Sequence, residues 1–103
     1  MIRASALWPN SPGKKFDLDY YVNRHIPMAV DLLRPGGLVK AEVDKGLGTA
    51  QQPAPFVCAS HFYFQSVEAF QQAFGPHAAR FTSDVPNFTD IEPIVQIADI
   101  VLG

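Results

Sequence analysis

Histidine is the side chain best suited to proton transfer near neutral pH, and this chain of 103 residues has three of them. His25 follows Tyr21 by four residues, a spacing that places both side chains on one face of a helix. The pair could act together, with His25 as general acid or base and Tyr21 orienting or polarising a substrate carbonyl. The alternative is structural: His25 closes a helix kink near Pro27, where a backbone carbonyl loses its usual donor.

His61 interrupts the otherwise aromatic and apolar segment at residues 56–64, which is typical of a strand. Alternation along a strand puts His61 on the same face as Tyr63, and we expect this face to point away from the helices into a ligand-binding cleft. The alternative is a core histidine that bonds a backbone carbonyl, since buried polar groups need a partner. The third histidine, His77, follows a Gly-Pro turn and is expected to be exposed.

The residue pattern does not indicate a metal site or a cofactor site. The three histidines and Cys58 lack the paired spacing of zinc ligands, and no glycine-rich phosphate-binding loop is present. Ser60 and His61 are neighbours, but they would point to opposite faces of a strand and cannot form a nucleophile–base pair. Cys58 is expected to face the helices as a small core residue. The sequence therefore predicts neither a metal nor a cofactor.

The composition argues against several classes of partner. The formal net charge is −2 and the eight lysines and arginines form no basic stripe, which disfavours nucleic acid and anionic membranes. No apolar segment approaches the roughly 20 residues that a bilayer-spanning helix needs. The single cysteine cannot form an internal disulfide, so we expect a soluble protein of the reducing cytoplasm. The length is that of one domain, residues 1–103.

Hydrophobic periodicity and turn residues predict the order β-α-β-β-α-β. The predicted strands lie at residues 2–8, 38–45, 56–64 and 91–102. The two helices are expected to begin at the N-caps Asp17 and Ser66, and Pro27 predicts a kink or break near His25. This order is typical of the ferredoxin-like α+β fold, an antiparallel sheet with both helices on one face.

Both faces of the strand at residues 56–64 are predicted to be buried. Alternation gives each face mostly apolar side chains, whereas the two helices can cover only one of them. The chain is also thinly charged, with 17% charged and 48% hydrophobic residues. We therefore expect a homodimer in which two sheets pack together.

The first predicted helix carries a motif that resembles the EthD family. The sequence FDLDYYVNRHIPM at residues 16–28, preceded by Trp8-Pro9-Asn10, is similar to the family pattern F-D-x-x-Y-Y-x-x-x-H-x-P-[LM]. The order of the remaining elements agrees over nearly the whole chain. The family belongs to the dimeric α+β barrel superfamily, so the resemblance implies a ferredoxin-like protomer and a homodimer. Many related barrels bind planar, apolar or aromatic molecules between the helices and the sheet.

Together, the residues and the resemblance favour a protein that binds a small apolar or aromatic molecule. The first hypothesis is a cofactor-independent isomerase, lyase or cyclase of catabolism or secondary metabolism that uses histidine-mediated proton transfer. The residues expected to form its site are, as catalytic groups, His25, Tyr21 and His61 and, as substrate contacts, Tyr20, Tyr63, Trp8 and Met28. The proximity of the two catalytic histidines in one cavity is a further prediction. The alternatives are a non-catalytic carrier of an apolar degradation intermediate, a stress-related oligomer without a ligand, and a haem-binding variant for which no axial-ligand pattern is identifiable.

Overall fold

The four strands form one antiparallel sheet in which the first and third strands are central. In the computed structural model, which describes residues 1–103, they are β1 (Ile2–Pro9), β2 (Lys40–Lys45), β3 (Phe56–Phe64) and β4 (Ile94–Asp99). Their order across the sheet is β2-β3-β1-β4, and every neighbouring pair is antiparallel. Helices follow β1 and β3, so the predicted ferredoxin-like α+β fold is confirmed.

Two helical segments cover one face of this sheet, which we call the helix-covered face. The first segment comprises α1 (Leu18–Tyr20), a π-helical segment (Tyr21–His25) and α2 (Ile26–Leu33), and the second comprises α3 (Val67–Phe74) and α4 (Ala78–Asp84). Asp17 and Ser66 cap the two segments as predicted, because each side chain accepts a hydrogen bond from the backbone N–H three residues on. None of the helices combines the length and the apolar character that crossing a membrane requires.

The disturbance expected near Pro27 takes the form of a π-helical turn. The N–H of Ile26 donates to the carbonyl of Tyr21, five residues back rather than four. Pro27 then lies in the first turn of α2, so its missing N–H falls directly after the π turn, where the hydrogen-bond spacing changes. The helical segment therefore continues past the proline, and both Tyr21 and His25 are buried.

The core between helices and sheet has two parts. One cluster contains Ile2, Ala29, Leu33, Leu38, Phe64, Ala73 and Phe81, and the other contains Trp8, Tyr21, Ile26, Cys58, Phe88 and Ile91. Cys58 thus packs against the helices, as predicted. Ile91 was expected in the last strand but belongs to the core instead, because β4 begins only at Ile94, after Pro93. A proline has no N–H to donate to the sheet, which accounts for the shorter strand.

The other sheet face, which we call the open face, is more polar than predicted. His61 and Tyr63 of β3 point to it and form hydrogen bonds with Asp44 and Glu42 of the neighbouring strand β2. Both β3 side chains remain partly exposed in the protomer. Alternation within β3 placed these residues on the correct face, but it gave no information about the acidic partners that β2 supplies.

Candidate functional site

A buried hydroxyl ties the first helical segment to the sheet. Tyr21 Oη accepts a hydrogen bond from Trp8 Nε1 at 3.1 Å and donates one to Ser60 Oγ at 2.7 Å. All three residues are at most 3% exposed, and burial raises the pKa of Tyr21 to about 12. Tyr21 therefore stays protonated and its one proton is committed to Ser60, so this hydroxyl fixes the position of the helix against β1 and β3.

His25 is held by aromatic rings and one carboxylate. Its ring stacks on that of Tyr21 with centroids 5.3 Å apart and an interplanar angle of 12°, and the Phe88 ring centroid lies 4.7 Å away. Nδ1 of His25 lies 2.8 Å from Oδ2 of Asp84. Because an ionised carboxylate only accepts hydrogen bonds, Nδ1 must be the donor. The other ring nitrogen, Nε2, has no hydrogen-bond partner in the protein and is not fully buried, so it is the His25 atom free to exchange a proton.

Asp84 is the shared acceptor of three side chains. Tyr20 Oη donates to Oδ1 at 2.8 Å and Asn87 Nδ2 donates to the same oxygen at 2.9 Å, while His25 bonds Oδ2. Burial alone would raise the pKa of this carboxyl, but the hydrogen bonds from Asn87, His25 and Tyr20 outweigh burial and hold the pKa below its usual value. The hydrogen bond to Asp84 also raises the pKa of Tyr20. The carboxylate is thus ionised at neutral pH and orients all three donors.

A cavity of about 380 Å³ opens beside this carboxylate. Its lining residues are Tyr20, Arg24 and Met28 from the first helical segment and Arg80, Ser83, Asp84 and Asn87 from α4 and the turn after it. Within each group the residues recur mostly at spacings of three or four, so each group shares one face of its helix. His25 does not line the cavity and is connected to it through Asp84. Two of the lining residues are hydrophobic, so this cavity is more polar than the pocket that we expected.

His61 and Tyr63 lie on the open face, away from this cavity. Nδ1 of His61 lies 2.7 Å from Oγ of Ser5, its cross-strand neighbour on β1, and Nε2 lies 2.9 Å from Oδ2 of Asp44. His25 packs on the helix-covered face. The sheet therefore separates the two histidines, and one chain does not form the shared cavity that we expected.

Ser5, His61 and Asp44 form a row of hydrogen-bonded side chains with the residue types of a hydrolytic triad. The row lacks the accessible nucleophile and the oxyanion-binding groups that such a triad needs. Ser5 is 6% exposed and lies on the central strand β1, whose backbone is paired with β3 on one side and β4 on the other. A serine nucleophile needs an accessible hydroxyl and free N–H donors for the oxyanion. We therefore interpret this row as a structural hydrogen-bond network.

Five of the predicted site residues lie on the helix-covered face, but of these only Tyr20 and Met28 line the cavity. Trp8, Tyr21 and His25 are buried and do not line it, so the predicted contact of Trp8 with a substrate is not seen at this cavity. Sequence reasoning missed the other side chains of the cavity, namely Arg24, Arg80, Ser83, Asp84 and Asn87. The four-residue spacing from Tyr20 to Arg24 was an available signal for the first of them. No local pattern indicated which face of α4 would meet the first helical segment, so Asp84 had no signal of its own.

Tyr21→Phe tests whether the Tyr21 hydroxyl holds the helix in place. Its removal leaves Trp8 Nε1 and Ser60 Oγ unpaired in the core, which should lower the free energy of unfolding by about 1–3 kcal/mol. Tyr20→Phe is the matched control, because the neighbouring hydroxyl faces the cavity, where water can replace it, and its loss should cost less. Urea denaturation followed by circular dichroism measures both variants, and equal losses would contradict the assignment.

Asp84→Asn should destabilise the protein in a pH-dependent way. A carboxyl whose folded pKa is depressed contributes stability above its unfolded pKa of about 3.9, and that contribution disappears as the pH falls through the folded value. The variant should therefore be less stable than the wild type at pH 7 and pH 5, with a difference that shrinks below about pH 4. Urea denaturation at each pH measures this, with the exposed Asp31→Asn as control. A difference that does not change with pH would show that the charge of Asp84 is not what stabilises this contact.

Comparison with known proteins relates this chain to one domain family. The model of the EthD domain matches residues 14–92. The crystal structure of an EthD-like protein from Ralstonia eutropha is 34% identical, with a TM-score of 0.91 over 98% of this chain and 92% of that chain. No curated protein matches the sequence.

More distant structures share the fold. An EthD family protein from Bacillus halodurans is 18% identical, with a TM-score of 0.69 over 96% of this chain and 97% of that chain. A hydroxynitrile lyase from Passiflora edulis is also 18% identical, with a TM-score of 0.60 over 99% of this chain and 96% of that chain. Because the domain model covers residues 14–92 and the Ralstonia protein is 34% identical over almost the whole length, this chain belongs to the EthD family.

Proposed function

We propose that the protein is a cofactor-independent proton-transfer enzyme, an isomerase, lyase or cyclase, that acts on a small molecule bound beside Asp84. The observation that supports this is the His25–Asp84 pair, in which an ionised carboxylate at the cavity wall holds Nδ1–H and leaves Nε2 free. An imidazole held in this way can take a proton at Nε2 and return it during a reaction. The fold is compatible with such chemistry, since a hydroxynitrile lyase shares it.

The side chains around the pair have separate roles in this proposal. Asp84 orients the His25 ring and stabilises the imidazolium that forms when Nε2 takes a proton from the substrate through an intervening water molecule. Tyr20 and Met28 contact the substrate from the cavity wall. Tyr21 is a positioning residue, because its hydroxyl proton is committed to the core and its ring supports the imidazole.

A non-catalytic carrier is the second candidate function. The observation in its favour is that His25 is 7% exposed and does not itself line the cavity, which also suits a histidine that only supports the fold. A carrier needs the cavity but no exchange of protons with the ligand. The two functions therefore differ in whether a bound ligand loses and regains a proton.

Exchange of carbon-bound hydrogen with solvent deuterium tests the proposal before the substrate is known. Abstraction of a proton next to a carbonyl group introduces deuterium from D₂O, and proton NMR detects it in a panel of aliphatic ketones, aryl ketones and 2-oxo acids. We expect the protein to accelerate exchange in at least one compound. His25→Gln should slow that exchange by about 10²–10⁴-fold, the usual contribution of a general acid–base group.

The matched control is His77→Gln, because the side chain of His77 has no hydrogen-bond partner in the protein and lies outside the cavity. It should exchange at the rate of the wild type. Exchange that survives His25→Gln would refute the role of His25. Compounds that bind to the wild type without any exchange would support the carrier function instead.

We also propose that the open face of the sheet receives a second copy of the chain. Leu7 lies on this face between Ala59 of β3 and Ile94 of β4, and Ile94 is exposed in the protomer. Arg3, on the same face, has a buried Nε without a hydrogen-bond partner, which is rare inside proteins. Symmetric pairing would place the same face opposite itself and make the carboxylates of β2 available to Arg3 of the second copy.

Leu7→Glu tests this pairing. Light scattering should give twice the 11.3-kDa mass of the chain for the wild type, and a mass near that of one chain for the variant, because a carboxylate would enter an apolar contact next to like charges. Leu47→Glu, at an exposed loop position, should leave the mass of the wild type unchanged. A monomeric wild type at micromolar concentration would contradict the dimer.

A further inference from the structure

We propose that the ligand of the cavity beside Asp84 is a small carboxylic acid whose carboxylate is bound by Arg24 and Arg80. The inference rests on the proposed function in one respect, since it takes this cavity to be the ligand site. It adds the chemical class of the ligand and two binding residues.

Arg24 and Arg80 are exposed cations in one concave site, whose lining also contains the carboxylate of Asp84. Arg24 comes from the π-helical segment and Arg80 from α4, so they approach the cavity from its two walls. Neither forms an ion pair, since the ion pairs of the chain are His25–Asp84, Lys40–Glu42 and His61–Asp44. Neither guanidinium forms a hydrogen bond with the protein. Two arginines against the one carboxylate of Asp84 leave the lining with a small excess of positive charge, although the net charge of the chain is −2.

Each of the remaining polar side chains of the cavity already forms a hydrogen bond within the protein. Asp84 is the carboxylate of the lining and accepts hydrogen bonds from Tyr20, Asn87 and His25. The hydroxyl of Ser83 donates to the carbonyl of Arg80. The donors left for a ligand are therefore the guanidinium groups, whose planar fork matches the two oxygens of a carboxylate, and the second amide N–H of Asn87.

The shape and the apolar part of the lining limit the rest of the ligand. A volume of about 380 Å³ suits a compact organic molecule rather than a polymer. Tyr20 and Met28 supply an aromatic ring and a flexible apolar chain for its uncharged part. We therefore expect the ligand to have an aromatic or apolar part on one side. On its other side we expect an anionic group that the arginines bind.

Titration with benzoate and with benzamide tests the inference, because the two probes have nearly the same shape and differ in charge. At low ionic strength, isothermal titration calorimetry should show that benzoate binds the wild type more tightly than benzamide does. Arg24→Gln and Arg80→Gln should each weaken benzoate binding by about tenfold to a hundredfold, the loss expected for one charge-assisted hydrogen bond. Benzamide binding should hardly change in either variant. Raising the salt concentration should weaken benzoate binding alone.

Arg34→Gln is the control, since Arg34 is exposed in the turn after α2 and lies outside the cavity. It should bind benzoate as the wild type does, and circular dichroism should confirm that all variants are folded. Equal affinity for benzoate and benzamide, or benzoate binding unchanged in Arg24→Gln and Arg80→Gln, would overturn the inference. Inorganic phosphate binding that is as tight and as dependent on both arginines as benzoate binding would also overturn it, because the site would then be a general anion site.

The deuterium-exchange experiment separates this inference from the proposed function. If neutral ketones exchange hydrogen for deuterium in a His25-dependent way, and 2-oxo acids exchange no faster than they do, the carboxylate inference fails and the enzymatic function stands. If benzoate binds through both arginines and no compound exchanges, the enzymatic function fails and the carboxylate site stands. Exchange that is His25-dependent and favours the 2-oxo acids supports both.

Discussion

The hydrogen bonds of the Tyr21 hydroxyl are the constraint on which the rest of the site depends. They join the first helical segment to β1 through Trp8 and to β3 through Ser60, in a part of the core that excludes water. In such surroundings an unpaired polar group is costly, so the rotation of the helix about its axis is closely fixed. His25, four residues on, then stacks on the Tyr21 ring and reaches Asp84. The core contact thereby determines where the imidazole lies.

The π-helical turn lets one short helix present two parallel rows of side chains. Tyr21 and His25 belong to the buried row, and Tyr20, Arg24 and Met28 belong to the row at the cavity. In a regular α-helix a step of four residues overshoots a full turn by about 40°, so a strict four-residue row drifts around the axis. A π turn holds more residues, which offsets this drift. The π turn thus keeps the core residues and the cavity residues on separate faces of the helix, and it lies directly before Pro27.

Local rules predicted the fold well and the site only in part, for a physical reason. Period-two alternation gave the faces of β3, capping residues gave the helix starts, and the four-residue spacing of Tyr21 and His25 gave the shared helix face on which their rings stack. Each of these depends on residues close together in sequence. The contact of His25 with Asp84 spans 59 residues and that of His61 with Ser5 spans 56. Such contacts depend on how helices and strands pack, and periodicity carries no information about that.

The two histidine–carboxylate pairs show why residue type alone could not distinguish His25 from His61 as the candidate proton acceptor. Each histidine lies close to one aspartate, at 2.8 Å for His25 and 2.9 Å for His61. The side chain of Asp84 is 18% exposed, whereas that of Asp44 is 62% exposed and screened by water and salt. Partial burial strengthens the first pair, because a lower local dielectric increases the interaction between a carboxylate and an imidazolium. His61 also has both nitrogens engaged, while His25 keeps Nε2 free. A proton acceptor needs both an anchored ring and an open nitrogen, and within one chain His25 meets both conditions.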